Sequence, residues 1–153
     1  MPDLSTEQRN VAVVRGYFEV VWNGRRPDRI GEFAHPDGVA YQTCGVLVGR
    51  EKVREVLVER MLEAFPDLRV DVEAVLAVGD QAVVRWRLSA THLGEGLGMR
   101  PTGTRVGLVG MTWLVLRDGK ISRGWDCWDH GGLLERCWRA ARERGDSDTG
   151  GER

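Results

Sequence analysis

Leu68-Arg69-Val70-Asp71-Val72-Glu73 is where the chain changes its period. Upstream, apolar residues recur at helical spacing; here they alternate strictly with charged ones. Such alternation puts Leu68, Val70 and Val72 on one side of an extended strand and Arg69, Asp71 and Glu73 on the other. Val78-Gly79-Asp80-Gln81 then reads as a hairpin turn, and Ala82 to His92 as the returning strand. Leu93 to Thr104, rich in glycine and holding Pro101, is a loop. Arg105 to Leu116 is a third strand, Arg117-Asp118-Gly119-Lys120 a tight turn, and Ile121 to Asp129 a fourth strand. A helix from about Leu133 to Arg142 closes the pattern.

The preceding residues are helical in character. Ser5 followed by Gln8 is a capping-box pattern. Val11, Val14, Phe18, Val21 and Trp22 then make one apolar face, which Asn23-Gly24 terminates. Pro27 suits the first turn of a short second helix that carries Ile30 and Phe33 inward. His35-Pro36-Asp37-Gly38 reads as a turn and Val39 to Val48 as extended chain interrupted at Gly45. Arg50 to Phe65 is a third helix with Val53, Val56, Leu57, Met61, Ala64 and Phe65 inward, ended by Pro66. Helices followed by an antiparallel meander define an α+β domain. A strongly twisted sheet of this kind curls around its helices into a cone with one open mouth. Residues 1–144 are expected to form this single domain, and residues 145–153, wholly polar, a disordered tail.

At 153 residues, with 22 basic against 23 acidic side chains, the chain can bury a core without disulfides. Its balanced, interspersed charge predicts no nucleic-acid groove and no membrane-binding patch. Cys44, Cys127 and Cys137 lack metal-ligand spacing, and their odd number suits a reduced, cytoplasmic protein. No zinc-type pair, calcium loop, phosphate loop or nucleophile elbow is present, and no metal site is expected.

Chemistry concentrates in Trp125-Asp126-Cys127-Trp128-Asp129-His130. A carboxylate among large aromatics has its pKa pushed toward neutrality, as a general acid or base requires. Asp126 lies within the strand, whereas Asp129 stands at the strand–helix junction, where caps belong. Gly124, Asp126 and Trp128 share one face of that strand, and Gly110, Thr112 and Leu114 share one face of the strand before it. The alternation does not say which face lines the interior. His92, at the end of the second strand, could reach the mouth of a pocket.

Taken together, Phe65-Pro66-Asp67-Leu68, Thr91-His92-Leu93-Gly94, Gly98-Met99-Arg100-Pro101-Thr102-Gly103, Asp118-Gly119-Lys120-Ile121 and Trp125-Asp126-x-x-Asp129 before Gly132-Leu133-Leu134 resemble the SnoaL-like polyketide cyclases. With His35-Pro36-Asp37, the resemblance spans residues 8 to 140. These cyclases belong to the nuclear transport factor 2-like (NTF2-like), or ketosteroid-isomerase-like, superfamily. The resemblance implies a cone-shaped α+β barrel with a deep apolar pocket, dimeric through its sheet. It also implies cofactor-independent closure of a ring in a polyketide ester by an intramolecular aldol reaction, and Trp113, Trp125 and Trp128 suggest a polyketide-like ligand of apolar or aromatic character. The acid/base aspartate of the family falls on Asp126, with His92 as a second catalytic candidate. An assisting histidine of the cyclases is replaced by Thr112. Tyr41, Arg85, Trp86, Thr112, Trp113 and Trp128 are the candidate substrate-binding residues, although strand parity forbids all of them from facing inward. Relatives implied by the same scaffold include hydroxylation-associated and epoxide-opening proteins and non-catalytic binding domains.

Overall fold

A computed structural model describes residues 3–148, with side chains described through residue 145. Ser5 starts α1 (Thr6–Gly16) as its pattern requires. Its hydroxyl accepts the Gln8 N–H at 3.2 Å, and the Gln8 side chain accepts the Ser5 N–H at 2.8 Å. The pair satisfies donors that the first helical turn leaves free. The helix continues, π-wound, through Tyr17–Asn23, and buries Val14, Phe18, Val21 and Trp22. Asn23 does more than stop it: its amide donates to the Val70 carbonyl at 2.8 Å and accepts the Val70 N–H at 2.7 Å, clamping the helix end to the sheet. A short 3-10 helix, Pro27–Glu32, then buries Ile30.

Residues 35–38 depart from the expected turn. They belong to β1 (Ala34–Gln42), whose register slips between Ala34 and Val39. Pro36 has no N–H for the ladder, so a bulge absorbs the residues that would otherwise have reversed the chain. β1 pairs antiparallel with β2 (Gly45–Val48) and parallel with β6 (Lys120–Trp128).

The third helix is composite: α2 (Arg50–Val53), a π-wound stretch Arg54–Glu59, and α3 (Arg60–Ala64). Val58, outside the expected apolar set, is fully buried, while Val56 and Leu57 are half-buried. Val58 stands three and seven residues before Met61 and Phe65, so ordinary helical spacing puts it on the face that they share.

β3 (Arg69–Val78), β4 (Gln81–Thr91), β5 (Arg105–Arg117) and β6 form the meander, and the sheet order is β2-β1-β6-β5-β4-β3. Asp118 and Gly119 both take positive φ, 52° and 73°, the two-residue turn whose twist matches its strands. The sheet is curved and unclosed. Apolar residues of α1, the π-wound stretch and α3 form one core with Val70, Val84, Trp86, Leu88, Leu108 and Leu114 of the sheet. The architecture is the expected α+β cone.

α4 (His130–Asp148) begins earlier than its apolar pattern suggested, because Asp129 caps it: Gly132 N–H donates to Asp129 Oδ1 at 2.9 Å. Leu133 and Cys137, one turn apart, are fully buried. The helix also runs on into residues 145–148, which composition alone had assigned to a disordered tail. A helix already nucleated by packing gains a hydrogen bond with each added residue, even in polar sequence. The rest of that tail, 149–153, lies outside the described residues. No helix among the described residues is long and apolar enough to cross a membrane.

Candidate active site

Burial decides which strand face is the interior. Ala82, Val84, Trp86, Leu88 and Ala90 of β4 are buried, as are Val106, Leu108, Gly110, Thr112 and Leu114 of β5, with their odd-numbered neighbours outward. Register carries this parity across to β6, where Thr112 faces Asp126, Gly110 faces Trp128 and Leu114 faces Gly124. Asp126 therefore points into the cone.

Its carboxylate is held at both oxygens. Thr112 Oγ1 donates to Oδ1 at 2.5 Å, and the Gln42 amide donates to Oδ2. Thr112 in turn accepts the indole N–H of Trp86 at 3.0 Å. That relay depends on Gly110: a Cβ there would lie 2.4 Å from the Trp86 ring, so only glycine lets the indole lie flat on the strand. Trp128 meets Trp86 edge to face, with ring centroids 6.5 Å apart. Burial pushes the Asp126 carboxyl above its ordinary value, opposed by the hydrogen bonds from Thr112 and Gln42. Tyr17 stands nearby; burial pushes its phenol upward, opposed by the Trp22 indole and reinforced by the Asp126 charge, so it remains a hydrogen-bond donor.

Two spaces with a shared wall lie at and beside this group. A chamber of about 60 Å³, lined by Tyr17, Phe18, Trp22, Trp86, Thr112 and Asp126 among others, contains the carboxylate. A vestibule of about 520 Å³ shares Leu57, Met61 and Trp128 with it. The vestibule is within the size range of small-molecule sites, and the chamber by itself is not. Gln42, which holds Asp126, also lines the vestibule.

Of the residues expected at a site, Asp126, Trp86, Thr112 and Trp128 converge here. Arg85, Trp113 and Tyr41 do not. Arg85 and Trp113 have outward parity, and Tyr41 stacks on Trp125 at 5.0 Å, in register with it on the outer face. Trp113 is half-exposed and donates its indole N–H to Gln81 at 2.8 Å. His92 lines neither the chamber nor the vestibule. It follows the last residue of β4, so the loop rather than strand parity aims it. Fully buried, it bonds Thr102 Oγ1 through Nδ1 at 2.9 Å and packs on Phe65. Its position fits a loop anchor. Gln42, Tyr17 and Trp22 were not anticipated. Trp22 was legible only as a core residue, and nothing local marks Gln42, which reaches Asp126 through the parallel β1–β6 pairing.

An α+β cone with a buried carboxylate in the lining of an aromatic chamber defines the class. A ketosteroid-isomerase-like protein of Catenulispora acidiphila, crystallised with trimethylamine, shares this fold at TM-score 0.63 and 19% identity, over 75% of this chain and 83% of its own. A sequence model described as SnoaL-like polyketide cyclase matches residues 12–136, and the chain belongs to that family. A candidate SnoaL-like polyketide cyclase from Jannaschia sp. CCS1 is similar at 27% identity and TM-score 0.78, covering 90% of this chain and 97% of the other. AclR, a candidate hydroxylase from Streptomyces galilaeus, is similar at 30% identity and TM-score 0.75, covering 88% and 83%. No curated protein sequence matches the chain.

Proposed function

We propose that the protein is a cofactor-independent acid/base catalyst that closes a ring in a polyketide-like small molecule, with Asp126 carrying the proton. One observation carries the reading: a buried carboxylate lining an aromatic chamber, with both oxygens held by neutral donors. Family membership supports it.

In this reading the Asp126 carboxylate removes an acidic proton from the carbon beside a substrate carbonyl. The enolate carbon then bonds to a second carbonyl carbon of the same molecule. The proton on Asp126 passes to the resulting alkoxide, leaving the enzyme unchanged. A raised pKa brings the acid and base forms of Asp126 closer to the working pH, where both steps are efficient. Tyr17, kept protonated, is placed to donate to an oxygen gaining charge. Trp86 and Trp128 hold a flat substrate in its reactive fold. His92 serves by anchoring the loop after β4.

A second reading, a hydroxylation-associated protein, is favoured by the similarity to AclR and by Thr112, a residue that donates a hydrogen bond but does not give up its proton near neutrality. Asp126→Asn with a turned-over polyketide substrate tests the first: kcat falls by about 10²-fold or more, the scale of a lost general base. Retained turnover ends the assignment. Turnover that stops without oxygen supports the second reading.

The outer sheet face is the surface we assign to a second copy of the chain. Val109, Met111 and Trp113 form its exposed centre, beside Trp125 and Tyr41. Monomers rarely leave such a contiguous apolar face in water.

A further inference from the structure

The vestibule has a charge asymmetry that proton transfer at Asp126 does not use. Arg60 and His130 line it, and no aspartate or glutamate does. Other arginines of the same composite helix are engaged. Arg54 pairs with Glu51, Glu55 and Glu59, and Arg50 with Glu51 and the Ala34 carbonyl. Arg60 makes no side-chain hydrogen bond or ion pair among the described residues.

Arg60 is exposed, while the backbone beneath it is tightly packed. The loop after β4 crosses the helix here: a Cβ on Gly96 would lie 2.0 Å from the Arg60 carbonyl, and one on Gly94 1.8 Å from the Glu63 carbonyl. Gly96, Leu97 and Gly98 of that loop line the vestibule beside Arg60. His130, also in the lining, sets its ring edge to face against Trp128, at 5.1 Å. Burial pushes the imidazole below its ordinary value, so at neutral pH it offers a hydrogen bond without a charge.

We propose that the vestibule selects substrates bearing an ionised carboxylate, which Arg60 binds while the apolar body passes Leu57, Met61 and Trp128 toward Asp126. A guanidinium matches a carboxylate with two parallel hydrogen bonds, a geometry that an ester cannot exploit as a charged partner. The two ends of the site differ in sign and polarity. An anion is repelled by Asp126 in the chamber and attracted by Arg60 outside it, which orients the ligand in one direction. The proposal rests on the chamber being the substrate site and adds that the substrate is a free acid.

Quenching of tryptophan fluorescence by anthraquinone-2-carboxylate and by its methyl ester tests both, since Trp86 and Trp128 line the chamber. The acid is expected to bind about tenfold more tightly at low salt, although the ester is the more apolar ligand, because a charge-assisted pair outweighs one methyl group. Added salt narrows the gap. Arg60→Gln abolishes the preference and leaves the ester affinity within about twofold, and Arg60→Lys retains part of it. Equal binding of the two probes, or an unchanged preference in Arg60→Gln, overturns the role of Arg60 while leaving the chamber reading intact. Equal loss of both probes in Arg60→Gln makes Arg60 structural and also overturns it. If neither probe quenches, the chamber reading fails as well.

Discussion

Thr112 and Asp126 face each other across β5 and β6, and the hydroxyl of one donates to the carboxylate of the other at 2.5 Å. The same hydroxyl accepts from Trp86, so its single proton is directed at Asp126. A buried carboxylate with so defined a donor set has consequences beyond catalysis.

Asp126 costs stability at neutral pH. Its folded pKa is raised above the ordinary 3.8, so the folded state favours the protonated form. The associated stability is present in full below pH 3.8 and is lost as pH rises through the folded value. Asp126→Asn removes the buried charge and keeps the shape. Its melting temperature at pH 7.5 should exceed that of the parent by a few degrees. The gain should shrink on acidification toward pH 4, as measured by thermal melts across that range. A variant that melts lower at pH 7.5 would show that the Thr112 and Gln42 bonds outweigh the burial.

His92 acts with the opposite sign. Burial lowers its pKa below 6.5, so the unfolded chain takes up the proton first. Its contribution is intact above pH 6.5 and is lost as pH falls toward the folded value. Replacing it with glutamine should flatten the part of the stability–pH curve between pH 6.5 and 5 that this histidine produces, measured by urea unfolding. On a confirmed substrate, kcat should fall far less than in Asp126→Asn. A comparable loss would return His92 to the catalytic machinery.

Gly110 tests the tryptophan relay. Alanine there would bring a Cβ to within 2.4 Å of the Trp86 ring, forcing the indole off the strand and away from Thr112. A loss of about 1–3 kcal/mol in stability is expected from such overpacking. The near-ultraviolet circular dichroism of the tryptophans should change with it. Gly107, on the same strand but with open space around its Cβ position, serves as the control, and its alanine variant should leave that signal unchanged.

Met111 and Trp113 test the assembly. Each is more than half exposed on the outer face of β5. Glutamate at either position should convert a dimer into monomers, measured by sedimentation, with little change in the far-ultraviolet spectrum. A parent that sediments as a monomer at all concentrations would remove the outer face from consideration.

Much of this architecture is legible in local sequence. Ser5 with Gln8, the Gly79-Asp80 and Asp118-Gly119 turns, and the change of period at Leu68 each depend on neighbours a few residues away. Alternation likewise puts Asp126 with Trp128, and Thr112 with Gly110, on common faces. It could not turn those faces inward. That choice belongs to the helices packed inside the cone, and it sends Trp113, Arg85 and Tyr41 to the opposite surface. The bulge at residues 35–38 is also non-local, because only the parallel pairing with β6 draws those turn-forming residues into a strand.

The Trp125–His130 stretch shows the division most clearly. Its sequence alone determined that one carboxylate lies within a strand and the other caps a helix, since period and capping are properties of the nearby chain. Only the tertiary structure decided that Asp126 is buried, held by Gln42 from 84 residues away, and set in a chamber that shares Leu57, Met61 and Trp128 with a larger vestibule. Desolvation and hydrogen-bond partners depend on what packs against a side chain, and those groups come from distant parts of the chain.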